Sequence, residues 1–150
     1  MADDKVPTRY VASPAHQRPE GVDDDTVEAV GLLSEALETT ERARGHLYSF
    51  HQLTGVADYQ VEDAIVKLRD AGHDDLADRI ERDLLGRNVI PGHWTFQIVE
   101  EYDDTYWCFF RDLERQARET LTKGRRHLHE AELKEARRTH GHPDHSPGPQ

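Results

Sequence analysis

Paired carboxylates spaced for one face of a helix are the first residues that could do chemistry. They form three i,i+3 pairs: Glu38 with Glu41, Glu100 with Asp103, and Glu101 with Asp104. Hard cations such as Mg²⁺ bind several carboxylate oxygens, as in all-α nucleotide pyrophosphohydrolases. The first pair, however, lies about sixty residues from the others, and helical geometry turns Glu38 away from the apolar seam of its helix. A metal-dependent hydrolase therefore stays only as an alternative.

The histidines and the single cysteine also lack the spacing that their chemistry requires. His46 and His51 are separated by about 140° around a helix, so one straight helix cannot present both to a metal ion. His129-Glu130 begins like a zinc-protease motif, but Leu133 stands where the second histidine belongs. Cys108 lies among aromatic residues, where burial makes a thiol inert. We predict no metal, no cofactor and no catalytic residue, and a non-enzymatic role is favoured.

An aromatic and acidic cluster is the strongest candidate for a binding site. Seven of the eleven aromatic residues fall between positions 94 and 110, around four acidic residues. A small-molecule, nucleotide-like ligand could use the indole and hydroxyl groups there as polar contacts. The candidate pocket comprises Trp94, Glu101, Tyr102, Asp104 and Tyr106. The alternative is that the aromatic residues form a core or a subunit interface.

Three helices are predicted before this cluster. The first runs from about 26 to 53, because Asp25 and Glu28 have capping-box spacing and Gly55 is a typical C-terminal signal. The second and third are short. Asp58 and Gly72 bound one, and Asp74 or Asp75 and Gly86 bound the other.

A long C-terminal helix is predicted from about 95 to 138. Its apolar seam recurs every three or four residues and includes Leu113, Ala117, Leu121 and Leu128. Gly124 is a weak point, but we expect the helix to continue through it for about 65 Å. The predicted fold is an all-α bundle of one long N-terminal helix, two short helices and this long C-terminal helix.

Composition bounds the class of protein. The chain carries a net charge of −11, distributed as −10 over residues 26–104 and +2 over residues 105–150, which makes a nucleic-acid partner unlikely. No uncharged run is long enough to cross a membrane, and we expect a cytoplasmic protein. Residues 1–24 and 140–150 are predicted to be disordered around a single domain at 25–139.

One stretch of the sequence resembles a known family of proteins. Gly86-Arg87-Asn88-Val89-Ile90-Pro91-Gly92-His93-Trp94-Thr95-Phe96-Gln97, with Ile-Val-Glu-Glu-Tyr-Asp-Asp after it, is similar to a small uncharacterised family of actinobacterial helical proteins. The resemblance covers about residues 26–142. It implies a cytoplasmic bacterial source, and no site residue is carried over from it.

The predicted function is that of a helical interaction or structural protein that self-associates. A continuous C-terminal helix would extend beyond a compact core of this size and leave its apolar seam in water. We therefore predict a homodimer, whose interface includes Leu113, Ala117, Leu121 and Leu128. The ligand-binding or hydrolytic use of residues 94–110 remains the alternative.

Overall fold

Helices account for all regular secondary structure in residues 12–148, which are the residues that the computed structural model describes. After a 3-10 turn at Pro14–His16, five α-helices follow in chain order: α1 Asp24–Asp70, α2 Asp74–Asp83, α3 Thr95–Glu101, α4 Cys108–Thr122 and α5 Leu128–Arg137. A π-helical segment, Tyr102–Trp107, joins α3 to α4. The predicted all-α class is confirmed, but the predicted helix lengths differ from those observed.

The described chain divides into two compact units, and α1 contributes to both. Unit 1 combines residues 12–38 with residues 110–148, and unit 2 is Thr39–Phe109. Each unit buries only a few apolar side chains: Val27, Val30 and Leu128 in unit 1, and Ile65, Ala77 and Val99 in unit 2.

Helix α1 merges two of the predicted helices. Asp23 caps its start by accepting the amide of Thr26 at 2.8 Å, two residues before the predicted cap. The predicted stop at Gly55 is wrong, because the helix continues through this residue. It ends as predicted at Gly72, where φ is +82° and the amides of Gly72 and His73 bond back to Arg69 and Leu68.

Helix α2 occupies the predicted place and ends slightly early. It begins at Asp74, and a turn over residues 84–86 leads to Gly86 with φ +69°. The amide of Gly86 donates to the carboxylate of Asp58 at 2.9 Å. Asp58 was predicted to cap a separate helix, but it lies within α1 and fixes this turn instead.

The π-helical segment shifts the register of the chain that follows it. Its backbone bonds span five residues, as from the amide of Cys108 to the carbonyl of Asp103, so this turn holds more residues than an α-helical turn. The side chains buried on α4 are Glu114 and Thr122, one position after the predicted Leu113 and Leu121. The predicted seam of α4 therefore faces solvent.

The predicted continuous C-terminal helix is wrong at Gly124. Helix α4 ends at Thr122, and Lys123 and Gly124 both have positive φ, at +52° and +75°. Helix α5 returns to α1 within unit 1, because a Cβ atom placed on Gly31 would lie 3.3 Å from the Cβ of His129. Leu128, predicted at a subunit interface, is 5% exposed within its own unit.

Parts of both expected disordered segments make defined contacts. The Arg18 guanidinium donates to Glu132 at 3.0 and 3.1 Å. At the other end, Arg138 donates to the carbonyl of His145, whose ring accepts the amide of Thr139, each at 3.0 Å. The remainder of the two predicted segments, residues 1–11 and 149–150, lies outside the described residues.

Candidate functional site

Helix α4 carries an uncharged face between residues 113 and 121. The positions follow the i, i+3, i+4, i+7, i+8 pattern of one helix side: Leu113, Gln116, Ala117, Thr120 and Leu121. We call this set the α4 face. The charged residues of α4 occupy other positions: Arg111, Asp112, Glu114, Arg115, Arg118 and Glu119. A helix this rich in charge has therefore kept one side free of it.

The α4 face is accessible in unit 1. Leu113 and Leu121 are 46% and 45% exposed, Gln116 and Thr120 are exposed, and Ala117 is half-buried. The shifted register causes this exposure, because it turns Glu114 and Thr122 inward in place of the two leucines. Leu113 and Leu121 are therefore exposed apolar side chains on one side of α4.

A neighbouring side of α4 is fixed to α1 by a buried polar network. Glu114 is 7% exposed, and its carboxylate accepts Ser34 Oγ at 2.9 Å and Arg118 Nε at 3.1 Å. Arg118 also donates through Nη1 to the carbonyl of Gly124 at 3.0 Å. A buried carboxylate held by a charged partner and a hydroxyl resists displacement. The network thus orients α4 and keeps its uncharged face outward.

The structure gives the predicted pocket residues of unit 2 different surroundings. Trp94 is 58% exposed and lines a cleft of about 470 Å³ with residues of α1 and of the loop before α3, but none of the other four lines that cleft. Tyr102 and Tyr106 contact each other, with ring centroids 5.5 Å apart. Asp104 is exposed. Glu101 accepts the Nε2–H of His93 at 3.1 Å.

His93 is held at both ring nitrogens. Nδ1 lies 3.2 Å from the carbonyl oxygen of Pro91, and Nε2 lies 3.1 Å from Glu101. Only the protonated imidazole can donate at both positions, so the Pro91 carbonyl and then the Glu101 carboxylate raise the pKa of His93.

A cluster that the sequence analysis missed centres on Arg44. Its guanidinium donates to both carboxylate oxygens of Asp103, at 2.6 and 2.9 Å, and lies 4.2 Å from the ring centre of Trp107 and 5.1 Å from that of Tyr48. The Trp107 indole donates to Glu41 at 2.7 Å. We call these residues the Arg44 cluster. The hydrogen bonds that Asp103 accepts from Arg44 lower the pKa of the Asp103 carboxylate.

The Arg44 cluster shows which carboxylates of the predicted metal pairs are engaged. Glu41 and Asp103 each belong to one of those pairs. Glu41 accepts a hydrogen bond from Trp107 and Asp103 accepts one from Arg44, so both carboxylates are engaged by protein side chains. Among residues 12–148, no three histidine, cysteine or acidic side chains are grouped so that they could hold a metal ion.

Comparison with known proteins gives no relative. No family model, no curated protein and no solved structure matches the chain. Within residues 12–148, no helix has the length and apolar character needed to cross a membrane.

Proposed function

We propose that this protein is a helical interaction protein that self-associates through the α4 face. The observation that supports this proposal is the exposed uncharged side of α4, with a leucine at each end and Ala117 between them. In an antiparallel pair of α4 helices, the small side chain of Ala117 lets the helices approach at the centre. Leu113 of one copy then packs beside Leu121 of the other.

Charge favours a second copy at this face over other surfaces. Each chain carries a net charge of −11, so two copies repel each other wherever their charged surfaces meet. Contact through the α4 face brings no side-chain charge of that face against its equivalent. A two-fold interface uses the same surface of both copies, so that surface must be complementary to itself. The α4 face meets this requirement, because it has a leucine at each end and a small residue between them.

The size of the face sets the expected strength. Helix α4 has 15 residues and is about 22 Å long, so a contact confined to it is small compared with a permanent dimer interface. We therefore expect a concentration-dependent equilibrium between one chain of 17.2 kDa and a dimer, with a dissociation constant on the order of micromolar to about one hundred micromolar.

Substitution at one end of the face tests the proposal. Leu121→Glu places a carboxylate at each end of the paired helices and is expected to abolish the dimer seen by light scattering or sedimentation equilibrium. Leu133→Glu on α5 is the matched control, because Leu133 is 44% exposed and Leu121 is 45% exposed. The control is expected to dimerise like the native chain.

Three results would contradict the proposal. One is a native mass that stays at 17.2 kDa up to several hundred micromolar chain. Another is a dimer that persists unchanged in Leu121→Glu, which would place self-association on another surface. Loss of the dimer in both variants would equally remove the α4 face from the account.

A further inference from the structure

The loop that joins α2 to α3 in unit 2 is anchored at its two ends. At the first end the amide of Gly86 donates to the Asp58 carboxylate at 2.9 Å, and at the second the amide of Trp94 donates to Gln97 Oε1 at 2.9 Å. Every residue from Gly86 to Gly92 is exposed. A segment with so little buried surface opens at low free-energy cost unless polar contacts hold it.

Two side chains of the residues between these ends, which we call the 87–93 loop, form hydrogen bonds with the described part of the chain. Arg87 Nη1 donates to the carbonyl of Asp83 at 3.4 Å, which is a long hydrogen bond. The ring of His93 contacts the Pro91 carbonyl oxygen through Nδ1 at 3.2 Å and Glu101 Oε1 through Nε2 at 3.1 Å. Within residues 12–148, the contact with Glu101 is the one side-chain hydrogen bond that ties this loop to α3.

The two ring contacts of His93 require a charged ring. Both partners, a carbonyl oxygen and a carboxylate oxygen, can only accept, so each ring nitrogen must carry a proton. The neutral ring carries one proton, and its other nitrogen would then direct a lone pair at an acceptor oxygen. Loss of a proton therefore breaks one of the two contacts.

The backbone of the same histidine closes a tight turn. The amide of His93 donates to the carbonyl of Ile90 at 2.9 Å, and these two residues form an isolated antiparallel bridge. The ring contact with Pro91 lies within this turn, and the ring contact with Glu101 leaves it. One residue thus holds both the shape of the turn and its attachment to α3.

We propose that His93 is a proton-dependent latch, which holds the 87–93 loop on α3 while its ring is charged and releases the loop when the ring loses its proton. The loop lines the unit 2 cleft of about 470 Å³ through Arg87, Asn88 and Val89, so its release changes a wall of that cleft. The latch belongs to unit 2 and the α4 face to unit 1, and neither proposal rests on the other.

The direction of the pH dependence follows from the groups that His93 contacts. The Pro91 carbonyl and then the Glu101 carboxylate raise the pKa of His93. Because the pKa is raised in the folded chain, the contribution of the latch is fully present below the pKa of the unfolded chain. It is lost as pH rises through the folded-state pKa. The loop is therefore held in mild acid and released on the alkaline side.

Glu101 is the charged group that acts on His93. Other ionisable groups on the elements around the loop are Arg87 in the loop itself, Glu100 on α3 and His51 on α1. The His51 ring is engaged elsewhere, since its Nδ1 lies 2.7 Å from a hydroxyl oxygen of α3. None of these three shifts the pKa of His93. Glu101 is therefore the partner to change in a test.

Nuclear magnetic resonance of the full chain over a range of pH tests the latch at two atoms. The ring protons of His93 are expected to titrate at higher pH in the folded chain than in the chain unfolded in urea. Solvent exchange of the His93 amide, divided by the rate for an unstructured chain at the same pH, is the second readout. This ratio is expected to rise about fivefold or more as the ring loses its proton, since one charge-assisted hydrogen bond is lost.

Glu101→Gln and Glu100→Gln are the matched variants, because both carboxylates are exposed on α3 and only Glu101 meets His93. Glu101→Gln is expected to lower the pH at which the His93 ring titrates and to weaken the pH dependence of the exchange ratio. Glu100→Gln is expected to leave both as in the native chain. In a third variant, His93→Gln, the exchange ratio of the residue 93 amide is expected not to depend on pH.

Four results would overturn the proposal. The exchange ratio of the native chain stays constant across the His93 titration, or the ring titrates in the folded chain as it does in urea. Glu100→Gln changes the titration and the exchange as much as Glu101→Gln does. The pH dependence of the exchange ratio survives in His93→Gln.

Discussion

At the residue scale, polar contacts distinguish side chains of the same type by their contribution to the stability of the fold. Asp103 and Asp104 are adjacent and chemically identical, yet only Asp103 meets Arg44, at 2.6 and 2.9 Å. Both its carboxylate and the Arg44 side chain are about one-quarter exposed or less. A two-point ion pair at this depth contributes more than a pair on the open surface.

Removing the Asp103 charge is expected to destabilise the fold and to change its response to acid. Asp103→Asn should lower the free energy of unfolding by about 1–2 kcal/mol at neutral pH, because Arg44 loses its charged partner. Since Arg44 lowers the pKa of Asp103, this stability is present above the pKa of the unfolded chain and is lost as pH falls through the folded-state pKa. The difference between variant and native chain should therefore shrink in acid.

Chemical denaturation at a series of pH values checks this expectation. Asp104→Asn is the matched control, because Asp104 is exposed and does not share the Arg44 contact of Asp103. It should remain close to the native chain throughout. Equal losses in the two variants, or a difference that grows in acid, would contradict the role given to Asp103.

At the element scale, two glycines in helical sequence have opposite conformations. Gly55 lies within α1, and a Cβ atom there would meet nothing within 4 Å. Gly124 has φ +75° in the break between α4 and α5. Helix propensity alone predicts the same effect of alanine at the two positions, but the backbone conformation is helical at Gly55 and left-handed at Gly124.

Alanine substitution should therefore have opposite signs at the two positions. Gly55→Ala is expected to raise the free energy of unfolding by about 0.5–1 kcal/mol, since alanine is the better helix former. Gly124→Ala is expected to lower it by about 1 kcal/mol or more, since a left-handed backbone crowds the added Cβ. Thermal or urea unfolding measures both, and two shifts of the same sign would contradict these assignments.

The same elements show how far the sequence predicts the fold. The all-α class and the helix ends at Gly72 and Gly86 follow from local signals, namely charge, periodicity and glycine after a helix. The passage of α1 through Gly55 does not, because tertiary contacts can outweigh a cost of about 1 kcal/mol for one glycine. The turn at Gly124 depends likewise on contacts that the local sequence does not record.

The π-helical segment explains why the candidate site was predicted only in part. No local sequence signal marks Tyr102–Trp107 as a π-helical turn, yet its wider turn moves the inward side of α4 from Leu113 and Leu121 to Glu114 and Thr122. The sequence correctly indicated apolar residues at regular spacing along this helix. The prediction placed them in a core or an interface because it assumed a continuous α-helix without a π-helical turn. Arg44 was missed because its partner Asp103 lies fifty-nine positions away, with no local signal linking them.

At the scale of the whole molecule, the proposed self-association does not require a long protruding helix. That helix was the basis of the predicted dimer, and the break at Gly124 together with the burial of Leu128 removes it. The proposal now rests on the α4 face, which is a smaller surface than the predicted long helix. This face is exposed because the π-helical segment before α4 shifts the register of that helix. On a chain of −11, two copies that met through an uncharged helix side would repel each other less than two copies that met through charged surfaces.

Cysteine cross-linking at the centre of the α4 face tests this central claim most directly. In a Cys108→Ser background, which removes the only native cysteine, Ala117→Cys places two thiols at the two-fold centre of the proposed pair. Mild oxidation is expected to give a disulfide-linked dimer of twice 17.2 kDa, formed at least tenfold faster than in the matched Leu133→Cys variant. Cross-linking of Ala117→Cys no faster than that of Leu133→Cys would contradict the account.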